Sequence, residues 1–291
     1  MKLAVSAYSY ANSKISDVER IHRAAETGFE GIEFVELLEG REVTHEEKLA
    51  YATTLRREAE ACGLAIPAYA IGAKMYHGDR EADQAEIERL KREVEVAAAL
   101  GAPVMRHDII NTEVVGDRVV SFERMLPVIA ENVRAVTEYA ETLGVRTCSE
   151  NHGRLIQDID RMEKIYNTVG HDNYGLLLDI GNFACADVSS TAAVSRLAPY
   201  AVHVHVKDMK IISFGEAYDD TTPQVCITSR SANKLILCTL GEGDIPVAHC
   251  LEILKRAKPS YDGWISLEYE GKKDCLTEIP KSFALMKQYV G

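Results

Sequence analysis

Short apolar runs of strand length alternate with longer runs whose apolar residues recur every three or four positions, from one end of the chain to the other. This is the pattern of β-strands alternating with amphipathic helices. Eight strand–helix pairs can be laid out. The strands fall at about 3–8, 31–35, 64–71, 102–109, 145–150, 175–180, 201–208 and 263–269, and the helices at about 16–27, 45–61, 84–100, 122–143, 158–168, 191–197, 245–257 and 276–289. Ser16 is placed to cap the first helix, and Gly28, Gly63, Gly101 and Gly144 to end the first four. Pro127 is expected in an early turn of the fourth helix or at a kink.

Eight such units in series, with no linker and no change of composition between halves, predict a single-domain α/β protein, a (β/α)8 TIM barrel over residues 1–291. A doubly wound open sheet is the alternative. It is disfavoured because no G-x-G-x-x-G follows the first strand, where Ala7 to Asn12 stand instead. The seventh unit is irregular: about 209–240 forms a long β7–α7 connection, and at the carboxyl end of a barrel strand such a segment is expected to be a lid or binding element.

Charge and cysteine content narrow the function. A net charge of -12 opposes general affinity for nucleic acid or an anionic membrane. Seven cysteines with no C-x-x-C pair read as reduced thiols, not as a disulfide frame or zinc knuckle. No apolar run reaches the roughly 18 residues that span a bilayer, so a cytoplasmic protein is expected.

In a barrel the outward strand face packs under helices while the inward face at the carboxyl end builds the site. In AVHVHVKD (201–208), Val202, Val204 and Val206 form one face and His203, His205 and Lys207 the other. The same alternation turns Glu150, Asp179 and Glu268 inward at the ends of the fifth, sixth and eighth strands, beside His205 on the seventh. Three crowded carboxylates need a cation, and with one imidazole they form a borderline-hard set. One divalent metal ion is therefore expected, Mn²⁺ in first place, with Mg²⁺, Co²⁺ or Zn²⁺ as alternatives.

Around this set, six residues are candidates for binding substrate. His152 follows Glu150 by two residues, so it joins the same face. Asn182 follows Asp179. Arg106 and His107 close the fourth strand, and at least one points inward. Glu33 ends the second strand, where it could hold a hydroxyl or pair with a lysine or arginine. Lys207 has two readings, as the partner of an oxyanion or of a ligand carboxylate. His203, one residue pair deeper, reads as a hydrogen-bonded interior histidine, and Trp264 as core. The Gly241-Glu242-Gly243 turn reads as structural, although the helix start beyond it favours an anion.

The strings SENHG (149–153), LLLDIGN (176–182), HVHVKD (203–208), LGEGDIP (240–246) and WISLEYEG (264–271) resemble the xylose isomerase-like TIM-barrel superfamily. That group includes ketose 3-epimerases, hydroxypyruvate isomerases, inosose dehydratases, dehydroshikimate dehydratases and endonuclease IV. The resemblance implies that Glu150, Asp179, His205 and Glu268 are metal ligands. It also implies that Glu150 and Glu268 exchange a substrate proton on opposite faces of a metal-stabilised enediolate.

The function implied is a metal-dependent isomerase or epimerase of a small sugar or related polyhydroxy carbonyl compound. A lyase or dehydratase of a keto-sugar or keto-cyclitol is the alternative, with His152 protonating the leaving group. Asn182 and Ile211 stand where the epimerases usually carry a histidine and an arginine, which weakens the case for a free-ketose 3-epimerase. An endonuclease IV-like activity would need further histidines, for which His77 and His107 are candidates, and the acidic charge opposes it. No nucleic acid or membrane partner is expected. A homo-oligomer is an expectation by analogy.

Overall fold

The computed structural model describes residues 1–218 and 224–291; part of the 209–240 connection lies outside the described residues. Eight parallel strands close into a barrel. They are β1 (Lys2–Ser6), β2 (Gly31–Val35), β3 (Tyr69–Ile71), β4 (Val104–His107), β5 (Arg146–Glu150), β6 (Tyr174–Asp179), β7 (Ala201–Val206) and β8 (Trp264–Leu267). Each strand pairs with its neighbours in sequence, and β1 closes the ring against β8 with Lys2 opposite Trp264 and Val5 opposite Leu267.

The helices α1 (Asp17–Thr27), α2 (His45–Ala61), α3 (Arg80–Leu100), α4 (Phe122–Thr142), α5 (Ile159–Val169), α6 (Ser190–Leu197), α7 (Val247–Arg256) and α8 (Cys275–Val290) follow the strands in turn. The single barrel fold accounts for the eight expected units. Its helix starts are set locally. Ser16 and Thr44 form capping boxes with Glu19 and Glu47, and Gly28 and Gly101 end α1 and α3 in the left-handed conformation that glycine tolerates.

Outward strand residues such as Leu176, Leu178, Val204, Val206 and Ile265 are fully buried under the helices. Each contributes roughly 1.5–3 kcal/mol by burial. At the amino-terminal end of the barrel, Trp264 and Gly31 close the interior: a Cβ on Gly31 would lie 2.9 Å from the indole, so only glycine fits under the ring. Trp264 therefore lies at the barrel floor, partly exposed and outside the buried core where the sequence placed it, and is remote from the carboxyl-end site.

One element falls short of the sequence expectation. The third strand is only Tyr69–Ile71, joined upstream to β2 by a single bridge between Gly31 and Ala65. Pro67 lies between, and it has no N–H to give to a ladder. The long connection after β7 is not a plain loop. Its segments Asp208–Ile212, Cys226–Thr228 and Lys234–Cys238 form an antiparallel sheet with Lys234–Cys238 in the middle. We call it the flap.

The Gly241–Gly243 turn anchors the flap, because Asp208 accepts from the backbone N–H groups of Gly241, Gly243 and Ile245. A Cβ on Gly243 would fall 2.1 Å from Asp208 Oδ1. The anion at this turn is thus the chain's own carboxylate. Among the described residues, no helix is long and apolar enough to cross a membrane.

Candidate metal and active site

The strand alternation delivers four side chains to one point at the carboxyl end of the barrel. Ligand atoms of Glu150, Asp179, His205 and Glu268 all lie within 4.8 Å of one another. Each is held from behind. Glu150 accepts from Asn182 Nδ2 at 2.8 Å and pairs with Arg106 Nη2 at 2.5 Å. Asp179 accepts the backbone N–H groups of Gly181 and Asn182 with Oδ1, at 2.8 and 3.0 Å. Asn151 braces the end of β6, donating to the Asp179 carbonyl and accepting its N–H, each at 2.9 Å.

His205 is oriented by Glu33. Its Nε2 lies 3.0 Å from both Glu33 oxygens, and a carboxylate can only accept, so Nε2 carries the hydrogen. Its Nδ1 therefore faces Glu268 Oε1 at 3.4 Å with no hydrogen-bond partner among the described residues. This is the carboxylate–histidine arrangement that presents a ring nitrogen to a metal. Asp179 Oδ2 is likewise buried without a hydrogen bond; the Lys207 ammonium is 2.9 Å away but poorly aligned with it. Two orphaned donor atoms, one imidazole nitrogen and one carboxylate oxygen, meet among further carboxylates, and this set fits a divalent cation.

Lys207 also reaches Glu268 Oε2 at 2.8 Å and Glu270 Oε1 at 2.6 Å. Of its two expected readings, the fold shows an ion pair with the clustered carboxylates. Its path is permitted by Gly181, where a Cβ would stand 2.4 Å from Lys207 Cγ.

The field of these charges is mutual. Burial pushes the Asp179 carboxyl up, against the Lys207 ammonium and with the repulsion of Glu150 and Glu268, to about 7. Burial opposes charge on Glu33 and Glu268 as well. There it is outweighed, by His205 and His203 for Glu33 and by Lys207 and His205 for Glu268, so both are held below the usual carboxylate range. Burial alone would lower His205, yet Glu33 and Glu268 raise it well above an ordinary imidazole. The negative field that holds a proton on this ring equally favours a metal cation.

The remaining expected residues divide. Arg106 points inward and joins Glu150 to Asp108, 2.8 Å from Asp108 Oδ1. His152 stands half-exposed at the rim, its Nδ1 2.9 Å from Asp108 Oδ1. Desolvation there lowers its pKa, but the hydrogen bond and charge of Asp108 outweigh this and raise it.

His107 turns the other way. It is fully buried between strand and helices, 6.5 Å from the Tyr174 ring, and does not reach the site. Glu33 pairs with neither lysine nor arginine, and holds no accessible oxygen. It is 0 % exposed and serves the two imidazoles, with His203 Nε2 2.9 Å from it and from Ser266 Oγ. His77 is bound to Asp83 at the start of α3, so neither extra histidine joins the four-residue cluster.

Asp108, Glu270 and Asn151 were not anticipated. The first two were open to the alternation rule, since Asp108 follows the inward Arg106 by two residues and Glu270 follows Glu268 by two.

A closed (β/α)8 barrel carrying a carboxylate–imidazole cluster at its carboxyl end defines the class of protein. The family follows from comparison: the model of the xylose isomerase-like TIM barrel family matches residues 21–289, and the chain belongs to that family. Over 144 residues the chain is 25% identical to an inosose dehydratase of Mesomycoplasma hyopneumoniae strain 7448, a match covering 49% of this chain and 46% of that protein. The match thus spans about half the length of this curated relative.

Among solved structures, the IolI protein with a bound zinc atom superposes with a TM-score of 0.75 at 16% identity, over 99% of this chain and 96% of that one. The D-psicose 3-epimerase of Clostridium cellulolyticum H10, solved with D-tagatose, gives 0.73 at 15% identity, over 100% and 99%. At these identities the structures establish the shared fold.

Proposed function

We propose that this protein is a divalent-metal-dependent isomerase or epimerase of a small sugar or related polyhydroxy carbonyl compound. The observation that carries the reading is the convergence of Glu150 and Glu268, from β5 and from the end of β8, on one cluster with Asp179 and His205. Glu150, Asp179, Glu268 and His205 through Nδ1 would hold the metal. When bound, a divalent ion supplies a Lewis acid that polarises a substrate carbonyl and acidifies the neighbouring C–H.

The protein's own groups do the rest. Arg106 and Asn182 fix Glu150, and Lys207 fixes Glu268, so each carboxylate keeps one orientation relative to a bound substrate. One of the two removes the proton beside the carbonyl, and the other returns a proton to the opposite face or the adjacent carbon. The Arg106 and Lys207 charges favour negative charge developing on substrate oxygen between them.

A second reading, β-elimination by a lyase, is favoured by the His152–Asp108 pair at the rim. An imidazole whose pKa is raised holds a proton that it can deliver to a departing hydroxyl or larger group. The partial match to an inosose dehydratase supports it. Both readings share the first proton abstraction.

The test is incubation of the Mn²⁺-loaded protein with keto-sugars and keto-cyclitols in D₂O. Deuterium in an isomeric product is the expected result. Loss of water with an unsaturated product selects the lyase instead, and absence of any carbon-bound exchange across both compound classes removes the proposal.

A further inference from the structure

Away from the barrel mouth, the fold brings together a second set of metal-ligating side chains of different chemistry. His22 on α1, Glu58 on α2 and Cys62 just beyond α2 offer an imidazole nitrogen, a carboxylate oxygen and a thiol sulfur, all within 4.8 Å of one another. The three stand on the outer ring of helices. Barrel helices run back against the strands, so the end of α2 that carries Cys62 lies toward the amino-terminal end of the barrel, on the far side from the carboxylate cluster.

The local structure explains the convergence. Glu58 and Cys62 are four residues apart, one helical turn, and so occupy the same face of α2. His22 reaches across from α1, its Nε2 2.6 Å from Glu58 Oε1. The His22 and Glu58 side chains are 49% and 36% exposed, so an ion has a path from solvent and both side chains have room to turn. Zinc bonds of about 2.0–2.3 Å in a tetrahedron set neighbouring ligand atoms roughly 3.3–3.8 Å apart, so His22 and Glu58 need to part by only about 1 Å to admit the ion.

The donor set has a preference. An imidazole and a carboxylate by themselves make an ordinary interhelical hydrogen bond, to which a thiol adds little because it is a weak donor and acceptor. As a ligand the sulfur is soft, and it selects Zn²⁺ over the hard cations Mg²⁺ and Mn²⁺. Cys62 is in no disulfide, so its sulfur is available.

We infer that His22, Glu58 and Cys62 form a zinc site that ties α1 to α2 on the outside of the barrel, separate from the ion proposed at the mouth. His22 Nε2, one Glu58 oxygen and the Cys62 sulfur ligate the ion, and water completes the tetrahedron. The thiol proton and the hydrogen shared by His22 and Glu58 pass to solvent on binding. Such a site escapes a search for paired cysteines, because its ligands come from two helices, with His22 and Glu58 36 residues apart.

Titration of the protein with Co²⁺, as a spectroscopic stand-in for Zn²⁺, tests this. A thiolate ligand gives a near-ultraviolet charge-transfer band, and the cluster at the mouth contains no sulfur, so the band reports the outer site alone. The band is expected to appear, to saturate and to disappear when Zn²⁺ is added. Cys62→Ser should abolish it, and His22→Ala and Glu58→Gln should each weaken the Co²⁺ binding that it reports by at least about tenfold. All three positions are at least partly exposed, and unchanged far-ultraviolet dichroism confirms that each variant is folded.

Absence of the band in the unaltered protein, its survival in Cys62→Ser, unchanged affinity in both other variants, or failure of Zn²⁺ to displace Co²⁺ overturns the inference. The tie between helices has its own readout. Zn²⁺ should raise Tm less in Cys62→Ser than in the unaltered protein, since the cluster at the mouth is common to both. Equal rises would show that the ion does not hold α1 to α2.

Discussion

Glu33 illustrates how much one side chain can govern at a distance from the reacting groups. It is completely buried, with His205 and His203 both bonded to its carboxylate. Glu33→Gln preserves shape but lets the amide present a donor to His205 Nε2, so the ring loses its fixed tautomer. Metal affinity is expected to fall roughly 10–100-fold with the barrel intact, measured by metal titration beside far-ultraviolet dichroism. Unchanged affinity would show that His205 needs no such support.

Glu150→Gln and Glu268→Gln are each expected to abolish turnover while leaving the fold unchanged, since both stand at strand ends above the packed layers. His107 is the opposite case. Burial holds its imidazole down to about 4, and its Nε2 has no hydrogen-bond partner among the described residues. An unfolded chain takes up this proton near pH 6.5 and the folded one only near 4. Stability attributable to neutral His107 is therefore intact above pH 6.5 and declines as pH falls toward 4, by about 3 kcal/mol in all. His107→Leu should flatten the stability profile in that window, as read by denaturant unfolding at a series of pH values.

At the scale of elements, local signals and packing can be separated. The Ser16 capping box satisfies backbone donors at the start of α1, and Ser16→Ala should lower stability by about 1 kcal/mol without touching the site. Gly181 makes a different demand. Its φ of -77° suits any residue, yet a Cβ there would collide with Lys207. Gly181→Ala should cost about 1–3 kcal/mol by overpacking and shift the Lys207 ammonium away from Asp179 and Glu268. A fully active Gly181→Ala variant of unchanged stability would mean that the lysine stem has room to move.

The flap belongs to this scale as well. Its strands are short, and their partners are set by tertiary contacts, with Asp208 tied to the turn at 241–245. Neither propensity nor periodicity over a few residues announces such a sheet.

For the whole molecule, the barrel and the cluster are separable. The core lies between strands and helices, whereas the clustered carboxylates already have Arg106 and Lys207 as counter-ions. Chelation is therefore expected to leave the chain folded, and metal at 100 times its dissociation constant to add about 2.7 kcal/mol, seen as a rise of a few degrees in Tm. A chain that unfolds on chelation would make the metal part of the fold instead.

Much of this architecture is local information. The alternation of apolar and polar residues in 201–208, and at the ends of β5, β6 and β8, determined the strand faces, the barrel and the four converging side chains, because side-chain direction in a strand changes at every residue. Closure of the barrel decided the rest. It turned Arg106 in and His107 out, and brought Glu33 to a histidine 172 residues away. Those contacts depend on which strands become neighbours across the ring, and no stretch of sequence short enough to have a period contains both partners.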